Sequence, residues 1–134
     1  MRCYTRAWFN ILDRITFIIQ LQIKRIYEDP SQADGYRVLV DRLWPRGVSK
    51  EDAQLDEWLK EIAPSTKLRK WFDHDPDKFD EFSDRYKGEL SRKEEVVDRL
   101  LNIAEEQRVT LLYAARDETH NHATVLKEFL DTCD

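Results

Sequence analysis

Between residues 15 and 23 apolar and polar side chains alternate. Ile15, Phe17, Ile19, Leu21 and Ile23 fall on one side, Thr16, Gln20, Gln22 and Lys24 on the other, and Ile18 alone breaks the pattern. A period of two is that of a half-buried strand, predicted here to run on to Tyr27. Pro30, Ser31, Asp34 and Gly35 then make residues 28–35 a turn segment. A second strand is predicted over residues 36–42, built on Val38, Leu39 and Val40, and a third over residues 108–114, built on Val109, Leu111, Leu112 and Tyr113. The period changes to that of helices in the long stretch between them. Ser49 with Asp52 resembles a capping box and opens a helix that buries Leu55, Trp58, Leu59 and Ile62. Pro64 and Ser65 restart the chain into a short helix carrying Leu68, Trp71 and Phe72. Asp75 is an N-cap with Pro76 at the first helical position, ahead of a stripe of Phe79, Phe82, Tyr86 and Leu90. Ser91 with Glu94 is a further capping box, for Val96, Val97, Leu100, Leu101 and Ala104. Asp117 stands where it would cap a last helix carrying Ala123, Val125, Leu126, Phe129 and Leu130.

These elements make one α/β domain with a mostly parallel, short sheet flanked by helices and a helical insertion between strands two and three. The short first connection leaves open whether strands one and two are parallel, since parallel crossovers usually take a dozen residues or more. A chain of 134 residues with 41% apolar and 37% charged residues fits a single globular domain. The domain is expected over residues 21–134, preceded by an N-terminal extension over residues 1–20 whose order the pattern does not define. The net charge of -5 argues against non-specific nucleic-acid binding, which needs a basic footprint. Cys3 and Cys133 stand near the two ends with no Cys-x-x-Cys spacing, so neither a disulfide scaffold nor a structural zinc site is expected, and the cytoplasm is the default compartment. No run is long and apolar enough to cross a bilayer, and Asp13 and Arg14 interrupt the N-terminal apolar residues with no small-residue cleavage pattern after them, so no signal peptide is expected.

Candidate chemistry gathers where strands end. Residues 35–47 read Gly-Tyr-Arg-Val-Leu-Val-Asp-Arg-Leu-Trp-Pro-Arg-Gly. The apolar strand is followed at once by Asp41, Arg42 and Arg46, and Trp44 and Pro45 fix the turn. Open α/β sheets hold ligands outside the carboxyl ends of their strands, and the guanidinium fork matches carboxylate and phosphate. The competing reading pairs Asp41 with one arginine and leaves the other to cap a helix. The third strand exit carries Arg116, Asp117, His120, Asn121 and His122 at the start of a helix, where free N–H groups and the dipole favour anions. His120 is the expected proton-transfer group, oriented by Asp41 or Asp117, while His122 reads as an exposed polar residue of the cap. Arg42, Arg46, Asn121 and, more remotely, Lys24 are the expected ligand-binding residues. His74 reads as a turn histidine. No metal site is expected, because His120 and His122 are two apart and diverge on a helix. The function expected is binding of, or action on, a small anionic ligand bearing a phosphate or carboxylate. The alternative is a non-catalytic regulatory or interaction module that uses the acidic helical stretch over residues 73–106. The residues name no cofactor and no oligomeric state.

Five separated blocks carry a resemblance to a known family. They are Ile23-Lys24-Arg25-Ile26-Tyr27, the run over residues 35–47, Ala63-Pro64-Ser65 with Leu68-Arg69-Lys70-Trp71-Phe72, His74-Asp75-Pro76, and Leu111-Leu112-Tyr113-Ala114-Ala115 with Asp117, His120 and Asn121. Over residues 21–131 the chain resembles the YeaO-like proteins of the group called domain of unknown function 488. The resemblance implies a small, single Rossmann-like three-layer domain in the cytoplasm. It brings no catalytic assignment, because the family has no established activity. More distant members of the group carry a Cys-His-Arg triplet near the position of His120 to His122. With no cysteine at that point, thiol chemistry does not transfer to this chain.

Overall fold

The structure, a computed structural model, describes residues 19–133. The predicted alternation at Ile15 and Phe17 and nearly all of the expected extension lie outside those residues. The described chain forms four strands, β1 (Leu21–Arg25), β2 (Tyr36–Leu39), β3 (Glu57–Trp58) and β4 (Val109–Tyr113). It also forms five α-helices, α1 (Lys50–Ala53), α2 (Thr66–Phe72), α3 (Phe79–Leu90), α4 (Glu94–Glu106) and α5 (His122–Thr132). The sheet order is β1-β4-β2-β3 and every pairing is parallel, so all four carboxyl ends open on one side. The fold is α/β.

Strand alternation divides the interior. Val38 of β2 and Val109, Leu111 and Tyr113 of β4 enter the larger core, which takes Phe82, Tyr86 and Leu90 from α3, Val97, Leu100, Leu101 and Ala104 from α4, and Val125, Leu126 and Leu130 from α5. Ile19, Leu21 and Ile23 pack against the same core, as their period-two spacing requires. Leu39 and Leu112, one residue out of phase, join a smaller cluster with Ile26 and Ala53.

The first connection answers what the sequence left open. β1 and β2 are both parallel to β4, which lies between them, although residues 26–35 supply no crossover α-helix. A buried carboxylate takes that role. Asp34, at the end of a 3₁₀ turn (Gln32–Asp34) capped by Ser31, accepts from Lys24 Nζ at 3.0 Å, from Gln22 Nε2 at 3.3 Å and from Arg37. Its carbonyl accepts from Thr110 Oγ1 at 2.7 Å. The crossing segment is therefore fastened to β1, β4 and β2 in turn. Burial pushes the Asp34 carboxyl up, but donors from Lys24, the Ser31 N–H and Arg37 outweigh it and hold the carboxyl below its usual value of 3.8. Gly35 then passes Arg108 so closely, at φ 66°, that a Cβ would lie 2.3 Å from the Arg108 carbonyl oxygen. No side chain fits there.

Three local expectations change. The helix predicted through Ile62 stops at Ala53, with Gln54 left-handed at φ 46°, and the chain then forms β3 and a 3₁₀ turn (Lys60–Ile62). Ser49 does cap α1, accepting from the Asp52 N–H. A strand thus sits inside the stretch read as wholly helical, because Asp56 and Leu59 donate their N–H groups to the carbonyls of Arg37 and Leu39. Ser91 does not cap α4; its hydroxyl turns back to the Gly88 carbonyl at 2.7 Å, and Lys93 holds the cap position without a side-chain bond. Asn121, not Asp117, caps α5, its Oδ1 accepting from the Thr124 N–H at 2.9 Å.

Replacing Asp34 by alanine leaves the buried Arg37 guanidinium without its counter-charge and should cost about 3 kcal/mol in urea denaturation. Because the folded pKa lies below the unfolded one, Asp34 stabilises the protein fully above about pH 4, and that share is lost as the pH falls toward the folded pKa. An Asp34→Asn variant, already weakened at neutral pH, should lose less further stability on acidification. Gly35→Ala should cost at least about 2 kcal/mol through its positive φ and the clash with Arg108.

Candidate functional site

β2 feeds rightward to β3, whereas β4 feeds α5, which packs back over β1. The exits of β2 and β4 therefore diverge, and a crevice opens between adjacent strands whose chains leave in opposite directions. A cavity of about 520 Å³ occupies that point. One wall is the loop after β2, with Asp41, Arg42, Trp44 and Arg46. The opposite wall is Ala63, Pro64, Arg69 and Phe72, and the β4 side adds Ala114, Asn121 and His122.

Asp41 joins the two exits. Its Oδ2 accepts from the Ala114 N–H at 3.0 Å, just past the last β4 residue. Its Oδ1 lies 2.9 Å from His122 Nε2. That ring nitrogen is also 3.0 Å from the Val40 carbonyl oxygen, with the better hydrogen-bond geometry. Both neighbours of Nε2 are acceptors, so Nε2 carries a proton and donates between them. Trp58 Nε1 donates to the Asp41 carbonyl at 2.8 Å and Trp44 Nε1 to the Val48 carbonyl at 2.7 Å. The two indoles meet edge to face at 5.2 Å, which fixes the loop.

The opposite wall is held by side-chain donors on four successive carbonyls. Lys93 Nζ serves Glu61 at 2.6 Å and Ala63 at 3.0 Å. Tyr86 Oη serves Ile62 at 2.7 Å. Arg42 serves Ala63 through Nη2 at 3.2 Å and Pro64 through Nε at 3.1 Å. Burial lowers the Lys93 pKa, aided by the Arg42 charge and opposed by Glu89. Burial likewise pushes the Tyr86 phenol well up, so it stays a donor at neutral pH. The acceptors of Arg42 are neutral carbonyls, so its charge is not cancelled where it is bound. Three arginines (Arg42, Arg46, Arg69) and a single carboxylate (Asp41) line the cavity, a basic enclosure in an acidic chain.

The expected site residues separate into two groups. Asp41, Arg42, Arg46 and Asn121 come together around the cavity. Asn121 is spent on capping, donating Nδ2 to the Asp117 carbonyl at 2.8 Å as well as accepting from Thr124. His120, Asp117 and Lys24 are not among the lining residues. His120 Nδ1 sits 3.0 Å from Asp117 Oδ2 in a half-exposed turn, its ring edge-on to Phe79 at 5.2 Å. Asp117 accepts from the His120 and Thr119 backbone N–H groups, which with the hydroxyl of Thr119 and the ring of His120 hold its carboxyl far below the usual range. Lys24 is held by Asp34 and the Asp29 carbonyl. The histidines at the cavity are His122 and His74. The second reaches it from a left-handed pair, Asp73 at φ 49° and His74 at φ 56°.

Arg69 is the lining residue that the strand-exit argument does not find. It lies mid-helix, between core Leu68 and Trp71, and its Nε is buried with no hydrogen-bond partner among the described residues. The one available signal was its place in the Leu68–Phe72 block of the resemblance. Among the described residues no group of three His, Cys, Asp or Glu side chains could hold a metal ion, and no helix is long and apolar enough to cross a membrane.

Fold and site define a small α/β domain with its crevice at the carboxyl ends of a parallel sheet. The chain belongs to the YeaO-like DUF488 family, and the family described as "Inactive DUF488-N3 subclade" matches residues 20–133. It is 50% identical over 112 residues to "Uncharacterized protein YeaO" of Escherichia coli (strain K12), covering 84% of this chain and 97% of that one. It is 40% identical over 112 residues to "Uncharacterized protein Rv3073c" of Mycobacterium tuberculosis (strain ATCC 25618 / H37Rv), covering 84% and 94%. No solved structure matches the chain significantly.

Asp41→Ala should unpair the Ala114 N–H and cost about 1–3 kcal/mol, with faster hydrogen exchange at that amide. Arg42→Ala should cost a similar amount through the Ala63 and Pro64 carbonyls. Arg46, exposed and without a side-chain hydrogen bond among the described residues, should change stability by no more than about 0.5 kcal/mol when replaced by alanine.

Proposed function

We propose that this protein binds a small anionic ligand, a carboxylate or phosphate, in the crevice between the β2 and β4 exits. The observation that carries this reading is the convergence of three arginines on one concave site whose single carboxylate is already engaged by Ala114 and His122. Such a site favours negative charge in a chain whose overall charge is -5. In this reading Arg46 and Arg69 contact the ligand, Arg42 supplies charge while bracing the wall, and Asp41 with His122 sets the shape of the crevice. The sheet then serves as a Rossmann-like crevice in a cytoplasmic protein, with small molecules rather than nucleic acid as partners.

Binding without turnover is the favoured form. None of the residues lining the cavity is serine, threonine, cysteine or lysine, and its one carboxylate, Asp41, is taken up by the Ala114 N–H and His122. His120, the sequence's candidate for proton transfer, is turned to Asp117. The matching subclade is described as inactive, in line with this. The alternative, an interaction module on the acidic helices, has no exposed large apolar side chain there among the described residues. The two exposed large apolar side chains among the described residues, Tyr27 and Leu43, line the cavity instead.

A thermal-shift titration at low ionic strength tests the reading. Phosphorylated metabolites and small carboxylates are titrated into the parent protein and into the Arg46→Ala/Arg69→Met double variant. At a hundredfold excess over Kd, a ligand should add about 2.7 kcal/mol of stability. The gain should shrink with added salt and vanish in the variant. Equal shifts in both proteins, or none with any anion, would count against anion binding at the crevice.

A further inference from the structure

The cavity is not uniformly polar, and its inner and outer parts differ. Inside, Phe72 and Phe82 are buried and stacked at 4.1 Å with an interplanar angle of 18°, and Ala63, Pro64 and Pro45 are also buried. Arg69 sits against this apolar lining with its Nε buried and unpaired among the described residues. Its half-buried guanidinium lies beside apolar rings, so an oxyanion that reaches the Nη end is held more tightly than at a fully solvated arginine. At the mouth, Tyr27 and Leu43 are 46% and 59% exposed. A bare inorganic anion would satisfy Arg69 and leave both of these side chains in water.

We infer that the ligand is an amphiphilic anion, a flat apolar body ending in one carboxylate or phosphate. Arg69 takes the oxyanion at the inner wall, and Tyr27 and Leu43 cover the apolar body at the mouth. The inference rests on the anion-binding reading and adds the ligand's second half and its orientation. It also divides the arginines. Arg42 is anchored on the Ala63 and Pro64 carbonyls and Arg46 is exposed at the rim, so Arg69 is the anchor that distinguishes a charged ligand from its neutral analogue. Tyr27 donates its hydroxyl to the Arg46 carbonyl at 3.0 Å and carries the Arg25 guanidinium over one face at 5.0 Å, which ties the ring down beside the loop and leaves its other face for an apolar body.

Calorimetric titration of the full chain with inorganic phosphate, 2-naphthyl phosphate, 2-naphthoate and neutral 2-naphthol tests it. At least one naphthyl anion should bind about tenfold or more tightly than inorganic phosphate, as burial of an aromatic body predicts. The stronger of the two anions identifies the oxyanion the site takes. Neutral 2-naphthol should bind about tenfold or more weakly than that anion. Arg69→Met should remove most of the difference between charged and neutral naphthyl compounds, leaving the smaller share owed to Arg42 and Arg46. Arg69→Lys, which keeps the charge but lacks Nε, should retain part of it and serves as the reading if the methionine variant does not fold. Leu43→Ser, at an exposed position, should narrow the gap between naphthyl and inorganic anions without lowering Tm. Equal affinity for inorganic and naphthyl phosphate would overturn the amphiphile and leave anion binding standing. Unchanged discrimination in both Arg69 variants would overturn Arg69 as the anchor. Failure of every probe to bind would overturn this inference and the anion reading together.

Discussion

The sheet depends on a carboxylate placed where a helix would ordinarily be. A right-handed crossover between two parallel strands usually lays a helix over the strand it skips, and the helix satisfies its own backbone while burying an apolar stripe. Residues 26–35 have no room for one. Asp34 instead collects Lys24, Gln22 and Arg37, and its carbonyl takes Thr110. Each strand that the segment crosses thus gives it a donor. Gly35 lets the chain turn into β2 against the Arg108 carbonyl. The order β1-β4-β2-β3, and with it the divergence of the β2 and β4 exits, follows from this short, polar crossing.

Much of that could be read from the residues and some could not, for physical reasons that differ by element. β2 and β4 were legible because Val38–Val40 and Val109–Tyr113 are runs buried on both faces, where even the out-of-phase Leu39 and Leu112 find apolar neighbours. β3 was not. It is two residues long, and Leu55, Trp58, Leu59 and Ile62 keep helical spacing although Trp58 and Ile62 belong to a strand and a 3₁₀ turn. Two residues cannot establish a period of their own. At the start of α5, Asp117 and Asn121 are equally good capping residues by type, so the sequence does not choose between them. The choice falls to Asn121 because Asp117 accepts from Thr119 and His120 in a tight turn of its own.

The site shows the same division. The β2 exit was readable, and Asp41, Arg42 and Arg46 do meet at the crevice. The sequence cannot tell how an arginine is used, and there the three differ. Arg42 is bound to carbonyls from a segment more than twenty residues away, Arg46 is exposed, and Arg69 arrives from a helix whose neighbours look like plain core. His120 and His122 illustrate the point at finer scale. Two residues apart at the start of a helix, they point to different surroundings, one to the Asp117 turn and the other to Asp41 and Val40.

The crevice has two walls of unequal stiffness. Carbonyls 61 to 64 are gripped by Lys93, Tyr86 and Arg42, side chains rooted ahead of α4, within α3 and past β2. Moving that wall means breaking bonds to three separate parts of the fold at once. The facing loop from Leu43 to Gly47 is held at its Trp44 ring and its Arg46 carbonyl, and it contains Gly47 at φ 75° with open space around it. In the proposed anion-binding reading, the wall of carbonyls 61 to 64 is the more firmly tied of the two, and any fit to guests of different girth falls to the fewer ties of residues 43–47.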